Sequence, residues 1–185
     1  MKLTRLMLAL VLFSLVVTPP VAAQSSCAPV SYCLFAGCWY ELLNNSNFSG
    51  TQATCTNWNG VGLTTSSQCY NSAAAVLSPS SGTFTQNFYV PADSVGSLDI
   101  ALEFATIGTP TSLSDKIVLE LYEGTTLRKR IIIYTLNSAT SCHREDYSFG
   151  TNTFAGKNLQ LRVRGIYLTP GVSYHINWMQ IFAYL

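Results

Sequence analysis

Two pairs of charged or aromatic side chains occupy alternate positions in strand-like segments of the sequence. Glu120 and Tyr122 alternate with apolar residues in I-V-L-E-L-Y-E (117–123), and Arg162 and Arg164 do so in a second segment. Because successive side chains of a strand point to opposite faces, each pair lies on the polar face of its strand. Carboxylate and guanidinium groups hydrogen-bond to hydroxyl groups, and an aromatic ring packs on the C–H face of a sugar. The pattern favours a surface that binds carbohydrate.

Further residues join this surface if the polar faces of several strands belong to one sheet, with Trp58 as a second aromatic ring. The resulting shallow floor would consist of Asp99, Glu103, Glu120, Tyr122, Gln160, Arg162, Arg164 and His175. The alternative is an ordinary solvated sheet face, in which Glu120 forms cross-strand ion pairs and the aromatic rings belong to the core.

Catalytic arrangements have less support. Glycoside hydrolysis needs two carboxylates, which Glu120 could provide with Asp99 or Glu103 across neighbouring strands. The polar cluster His143 to Asp146 could hold a general base, although a solvated charge run in a loop explains it better. The chain contains no G-x-S-x-G motif and no glycine-rich phosphate loop. We therefore predict that it is not an enzyme, with a small hydrolase on a sandwich scaffold as an open alternative.

The N-terminus has the layout of a secretory signal peptide. Lys2 and Arg5 precede an apolar run over residues 6–17, and small residues stand before Gln24. The run is shorter than the ~20 apolar residues of a membrane span, so no membrane insertion is expected once a signal peptide over residues 1–23 is removed. The predicted location is secreted, either extracellular or periplasmic.

Charge narrows the range of partners. The chain has ten basic and nine acidic residues, and removal of Lys2 and Arg5 leaves eight basic ones. A net charge near zero argues against a basic surface, and nucleic acids and anionic membranes are bound through clustered lysine and arginine. We expect neither as a partner.

All six cysteines follow the predicted signal peptide, and an even number in an exported chain predicts three disulfides rather than a metal site. They are Cys27, Cys33, Cys38, Cys55, Cys69 and Cys142. With two histidines and no C-x-x-C motif, the chain offers no compact zinc site. We favour one bridge within the first three cysteines and a second that ties the loop of Cys142 to an early strand.

Alternation of apolar and polar residues predicts the fold class. Leu98, Ile100, Leu102 and Phe104 share one face of a strand, and later segments repeat this layout. About nine or ten strands and no convincing helix indicate an all-β, antiparallel two-sheet β-sandwich over residues 40–185. We expect residues 24–39 to form an irregular, cysteine-stapled N-terminal arm.

Several motifs, taken in order, resemble the jelly-roll, galactose-binding-like superfamily, to which many carbohydrate-binding modules belong. The resemblance covers about Tyr40 to Tyr184 and depends on L-L-N-N-S-N-F-S-G (42–50), Trp58, the strand-loop-strand 98–121 with Asp115, F-A-G-K (154–157) and Y-H-I-N-W-M (174–179). It implies a jelly-roll sandwich and a carbohydrate ligand.

Such modules often hold a structural calcium through carboxylates. Here Ser49 stands where the resemblance leads one to expect glutamate, and Asn177 where it leads one to expect aspartate. Calcium prefers charged oxygen ligands, so the resemblance does not extend to the metal. We predict no cofactor, although backbone carbonyls leave calcium possible.

Two functions remain in view. The first is a secreted, non-catalytic binding module whose partner is a glycan, bound by the polar face of one sheet or by edge loops. The second is a secreted structural or surface-assembly protein that uses the sandwich to contact another surface protein.

Overall fold

The computed structural model describes residues 30–34, 37–44, 46–48, 58–60, 62–64, 69, 73–79, 82–136, 142–150, 153–167 and 169–185. Eleven strands make up its regular structure: β1 (Val30–Leu34), β2 (Gly37–Glu41), β3 (Gly62–Thr64), β4 (Ala74–Leu77), β5 (Thr83–Tyr89), β6 (Ser97–Ile107), β7 (Lys116–Glu123), β8 (Thr126–Tyr134), β9 (Cys142–Gly150), β10 (Asn158–Ile166) and β11 (Ser173–Tyr184). Within these residues no helix is long and apolar enough to cross a membrane.

The strands form two antiparallel sheets. One has four strands in the order β5-β10-β7-β8. The other has seven: β11 pairs with β6 on one side and with β2 and β4 on the other, while β1, β3 and β9 extend the sheet outwards. The predicted all-β, two-sheet antiparallel sandwich is confirmed.

The core lies between the two sheets and follows the predicted alternation. Leu98 of β6, Leu119 of β7 and Leu161 of β10 are at most 1% exposed. Burial of each such side chain stabilises the fold by about 2 kcal/mol. A register shift between Ile176 and Trp178 divides β11, so that apolar side chains on both sides of the shift face the core.

Two predictions about local structure were wrong. The segment expected to be an irregular arm contains an antiparallel hairpin of β1 and β2, in which Cys33 pairs with Cys38. The polar segment after Cys142, expected to be a loop, is strand β9 paired with β6. Its exposed positions are all polar or glycine, two of them charged, and that composition concealed a strand that is paired with β6 on one side only.

Two disulfides are present in the described residues. Cys33 bonds to Cys38 within the N-terminal cysteine cluster, and Cys142 bonds to Cys69, 73 residues earlier. The first agrees with the favoured bridge within the N-terminal cluster. The second links Cys142 to the earlier part of the chain as expected, but it joins strand β9 to a bend before β4 rather than a loop to an early strand. Cys27, Cys55 and the predicted signal peptide lie outside the described residues.

A buried carboxylate joins the loop before β7 to the loop before β11. Asp115 is fully buried, and its carboxylate accepts hydrogen bonds from the Thr169 backbone N–H (3.0 Å) and the Thr169 hydroxyl. Its backbone carbonyl accepts a hydrogen bond from the Thr135 hydroxyl (2.9 Å), which also contacts the Tyr174 hydroxyl (2.9 Å). Asp115 therefore fixes the starting point of the strand that carries Glu120.

We expect Asp115→Ala to lower the free energy of unfolding by about 1–3 kcal/mol, because two donors on the half-buried Thr169 lose their acceptor. Urea denaturation at neutral pH measures this loss. Asp93→Ala, at an exposed position in the turn after β5, is the control and should change stability by less than ~0.5 kcal/mol. Equal effects of the two substitutions would contradict this role of Asp115.

Candidate functional site

The structure brings four of the five predicted carbohydrate-binding residues together. Strands β7 and β10 are neighbours in the four-stranded sheet, where Glu120 stands opposite Arg162 and Val118 opposite Arg164. Because Leu119, Leu121, Leu161 and Val163 point into the core, the intervening side chains point outwards. Glu120, Tyr122, Arg162 and Arg164 therefore share the outer face of this sheet.

Glu120 is the centre of an ion-pair cluster on that face. Its carboxylate lies 2.7 Å from an Nη of Arg130, 3.3 Å from an Nη of Arg164 and 4.0 Å from an Nη of Arg162. The side chain of Glu120 is 2% exposed, whereas those of the three arginines are 35–47% exposed. The arginines thus cover the carboxylate and leave part of each guanidinium group in solvent.

These contacts keep Glu120 ionised. Burial raises the pKa of the Glu120 carboxyl, but the hydrogen bond from Arg130, the charges of Arg164 and Arg130, and the hydrogen bond from Tyr122 outweigh burial and lower it below its ordinary value. The Tyr122 hydroxyl donates this hydrogen bond at 3.3 Å. Such a carboxylate is a structural anion and a poor proton donor at neutral pH.

Arg162 also packs on an aromatic ring. Its guanidinium carbon lies 4.5 Å from the centroid of the Tyr122 ring. This cation–π contact orients Arg162 and covers one face of the ring. Tyr122 therefore offers its hydroxyl and the position of Arg162 to any ligand, and the ring face under Arg162 is not open for stacking.

An open cleft lies at one end of the same four-stranded sheet. It has a volume of about 540 Å³, and its polar lining includes Asn87, Asn158 and Gln160, with the ring of Tyr89 beside them. Tyr89 is 44% exposed. The Gln160 amide donates a hydrogen bond to the Asn87 side-chain oxygen (3.1 Å), which fixes the orientation of both amides. In the register of the sheet, Gln160 stands opposite Tyr122, and Arg162 follows two residues later on the same face of β10, so the cleft and the arginine cluster lie on one face of the sheet.

Asn87, Tyr89, Asn158 and Arg130 were not among the predicted site residues. The first three stand on β5 and at the start of β10, where Asn158 is paired with Tyr89 and Gln160 with Asn87. The alternation of β5 did show that Asn87 and Tyr89 face away from Phe88. The missing information was that β5 and β10 are neighbours.

Trp58 is not part of this surface, and its prediction as a sugar-stacking ring was wrong. It is 7% exposed and packs against Phe48 and Phe84, with ring centroids at 5.3 and 5.1 Å. Such aromatic contacts stabilise the core. Trp58 is a core residue, which is the alternative that we considered for the aromatic rings.

The single polar floor that we considered is divided between two sheets. Asp99 and Glu103 stand on β6 and His175 on β11, all in the seven-stranded sheet, whereas Glu120 stands in the four-stranded sheet. Neither Asp99 nor Glu103 can therefore face Glu120 across neighbouring strands as a catalytic pair would. His143 lies on β9, and its ring packs 5.6 Å from that of Phe104.

Charges are segregated between the two sheets. On or directly next to the four-stranded sheet lie seven basic residues, Lys116, Arg128, Lys129, Arg130, Lys157, Arg162 and Arg164, with three acidic residues, Asp115, Glu120 and Glu123. The seven-stranded sheet carries one basic residue, Arg144, with five acidic ones, Glu41, Asp99, Glu103, Glu145 and Asp146. The expectation that a near-zero net charge excludes a basic surface was wrong, because the opposite charges lie on different sheets.

The seven-stranded sheet has an aromatic row on its outer side. Tyr32, Trp39 and Tyr184 stand opposite one another on β1, β2 and β11. Their ring centroids are separated by 5.9 Å and 6.3 Å. Tyr32 is 43% exposed, almost the same as Tyr89 on the other sheet. This row lies on the sheet that carries most of the acidic residues, and its exposed tyrosine can serve as a control for Tyr89 in binding experiments.

Asn177 stands where the resemblance leads one to expect a calcium-binding aspartate. It is fully buried, and its amide donates a hydrogen bond to the carbonyl of Ala73 at 3.4 Å. The side chain thus ties β11 to the start of β4. Ser49 lies outside the described residues.

No protein-family model matches the chain, and no curated protein matches it. Among solved structures, the fold is similar to carbohydrate-binding modules. A family 6 module of lichenase 5A from Cellvibrio mixtus, solved with cellotriose, is 14% identical with a TM-score of 0.43, over 68% of this chain and 88% of that one. The C-terminal family 6 module of LamC from Zobellia galactanivorans is 12% identical with a TM-score of 0.45, over 77% and 98%.

A larger protein is similar in fold as well. Dimeric latent PorU from Porphyromonas gingivalis is 13% identical with a TM-score of 0.40 over 56% of this chain, which spans about a tenth of the length of PorU. Since all of these identities and TM-scores are low, we argue function from the geometry of the chain itself.

We expect Glu120→Gln to lower the free energy of unfolding by about 1–3 kcal/mol at neutral pH, because three arginines lose their counter-charge. The pKa of Glu120 is lower in the folded than in the unfolded chain, so its stabilisation is present above the unfolded pKa and is lost as the pH falls through the folded one. The difference in the free energy of unfolding between the unsubstituted chain and Glu120→Gln should therefore become smaller as the pH is lowered. Urea denaturation at a series of pH values measures it.

The matched control is Asp146→Asn, which removes a carboxylate from the exposed pair with Arg144, whose side chains are 60% and 59% exposed. Its effect should be close to zero at every pH, because exposed ion pairs contribute little. A pH-independent difference for Glu120→Gln would contradict the electrostatic account.

Proposed function

We propose that the chain is a secreted, non-catalytic carbohydrate-binding module whose ligand lies on the outer face of the four-stranded sheet. The observation that carries this proposal is the cleft of Asn87, Tyr89, Asn158 and Gln160, on the same sheet face as Tyr122 and Arg162. The two disulfides support secretion, because such bonds persist in oxidising compartments.

The cleft has the mixture of groups that a sugar requires. Side-chain amides carry both donors and acceptors, so Asn87, Asn158 and Gln160 can hydrogen-bond to hydroxyl groups in either direction. The exposed ring of Tyr89 offers an apolar face for the C–H side of a sugar ring. The cleft is open, which suits a chain of sugar units that extends beyond it.

A rigid sheet positions these side chains. All of them stand on β5, β7 and β10, which are paired over most of their lengths. The hydrogen bond between Gln160 and Asn87 further limits their freedom before the ligand arrives. Preorganised side chains lose less conformational entropy on binding, which favours affinity.

The ion pairs on this face support binding rather than hydrolysis. Glu120 is held as a carboxylate by three arginines, whereas a glycosidase needs one carboxylic acid that donates its proton. Glu123, the other acidic residue on this sheet, is paired with Arg128 at 2.7 Å and with Lys157 at 3.0 Å. Neither residue is placed as a free general acid.

The test is affinity electrophoresis of the secreted chain through gels that contain a panel of polysaccharides. We expect at least one polysaccharide to retard the chain. Tyr89→Ala should lower the affinity for that polysaccharide about tenfold or more, because the aromatic contact and part of the buried area are lost. Tyr122→Ala and Arg162→Ala should weaken retardation in the same gel.

Tyr32→Ala is the matched control, because it removes a tyrosine of almost the same exposure from the other sheet. It should leave retardation unchanged. Thermal melts show whether each variant is folded. Equal losses in Tyr32→Ala and Tyr89→Ala, or no retardation by any polysaccharide, would contradict the proposal.

A further inference from the structure

We propose that the ligand of the four-stranded sheet is an anionic polysaccharide, whose carboxylate or sulfate groups bind to Arg130, Arg162 and Arg164. This inference rests on the proposed function and names the ligand class. It goes beyond that function because a neutral glycan would need the cleft alone.

The first support is an excess of positive charge at the ion-pair cluster. Three guanidinium groups surround one carboxylate, so the cluster keeps an excess of two positive charges. Three arginines carry about fifteen N–H donors, whereas one carboxylate has about four acceptor positions. Donors therefore remain for a second anion.

The second support is the position of those donors. The side chains of Arg130, Arg162 and Arg164 are 47%, 39% and 35% exposed, whereas Glu120 lies beneath them at 2%. A buried carboxylate that holds the arginines in place leaves their outer edges directed to solvent. Planar guanidinium groups in fixed positions bind carboxylate-like anions through paired hydrogen bonds.

The third support is the uneven charge of the whole sandwich. Seven of the eight basic residues in the described part of the chain lie on or next to the four-stranded sheet, with three acidic ones, whereas the opposite sheet carries five acidic residues and one basic one. An anionic polymer would be attracted to one side of the molecule and repelled by the other. This polarity orients the protein on its ligand.

The polar cleft favours a polysaccharide over other polyanions. The amides of Asn87 and Gln160 are fixed by their mutual hydrogen bond and lie beside Tyr89, and Arg162 follows Gln160 by two residues on the same face of β10. A sugar chain can use both parts, with hydroxyl groups at the amides and acidic groups at the arginines. Phosphate groups of a nucleic acid or a lipid surface would use the arginines alone.

The test compares two pairs of probes that differ in charge. The first is polygalacturonate with its fully methyl-esterified form, and the second is dextran sulfate with dextran. In affinity electrophoresis we expect the secreted chain to be retarded by a charged member at least tenfold more strongly than by its neutral partner. Retardation should weaken as NaCl rises from about 0.05 M to about 0.5 M, because salt screens exposed charges.

Arginine variants distinguish binding by the arginine cluster from attraction by the overall charge of the protein. Arg130→Ala and Arg164→Ala should each lower the affinity for the charged probe about tenfold, because each variant loses one charged hydrogen bond to the ligand. Arg144→Ala removes the same charge from the opposite sheet and should have no effect.

Each other outcome is decisive. Equal retardation by charged and neutral probes that is lost in Tyr89→Ala but not in Arg164→Ala would overturn this inference and leave the proposed function intact. No retardation by any of the four probes would overturn this inference, and the wider panel would then decide the proposed function. Equal binding to double-stranded DNA or phosphatidylserine vesicles, or salt-sensitive self-association without polysaccharide binding, would overturn the choice of a polysaccharide.

Discussion

Strand β7 is buried on both of its faces, and this constraint explains the surface around it. The inner face packs into the core through Leu119 and Leu121. On the outer face, Val118 and Glu120 are 2% and 1% exposed. A carboxylate in that position is costly unless opposite charges surround it. Arginines on both neighbouring strands supply these charges and, through their long side chains, the cover itself.

The requirement for counter-charges has a consequence for function. Compensation of one carboxylate needs one positive charge, but the two adjacent strands supply three. The interaction that stabilises the sheet therefore also leaves an excess of guanidinium groups at the surface, in fixed positions. In this account a single buried residue, Glu120, is structural, and the residues that cover it provide the binding surface. The amides of β5 and β10 extend that surface into the cleft.

Local alternation predicted the strands and their faces, because the inner positions of β5, β6, β7 and β10 are mostly apolar, with Gln86 and Thr106 as buried polar exceptions. It could not predict which strands are neighbours, and so it placed Asp99 and His175 on the same floor as Glu120. The contact with Arg130 depends on a register shift between Leu121 and Tyr122. Without that shift, Lys129 would stand opposite Glu120. Charge segregation was hidden for the same reason, since net charge contains no information about sheet membership.

The most direct test of the binding face is an NMR titration of the secreted chain with an oligogalacturonate, observing backbone amides and arginine Nε–H signals. We expect shifts in Gln160, Arg162 and Arg164 and their neighbours on β5 and β7, with little change in the aromatic row of the opposite sheet. Shifts confined to Tyr32, Trp39 and Tyr184, or spread evenly over both sheets, would contradict the account.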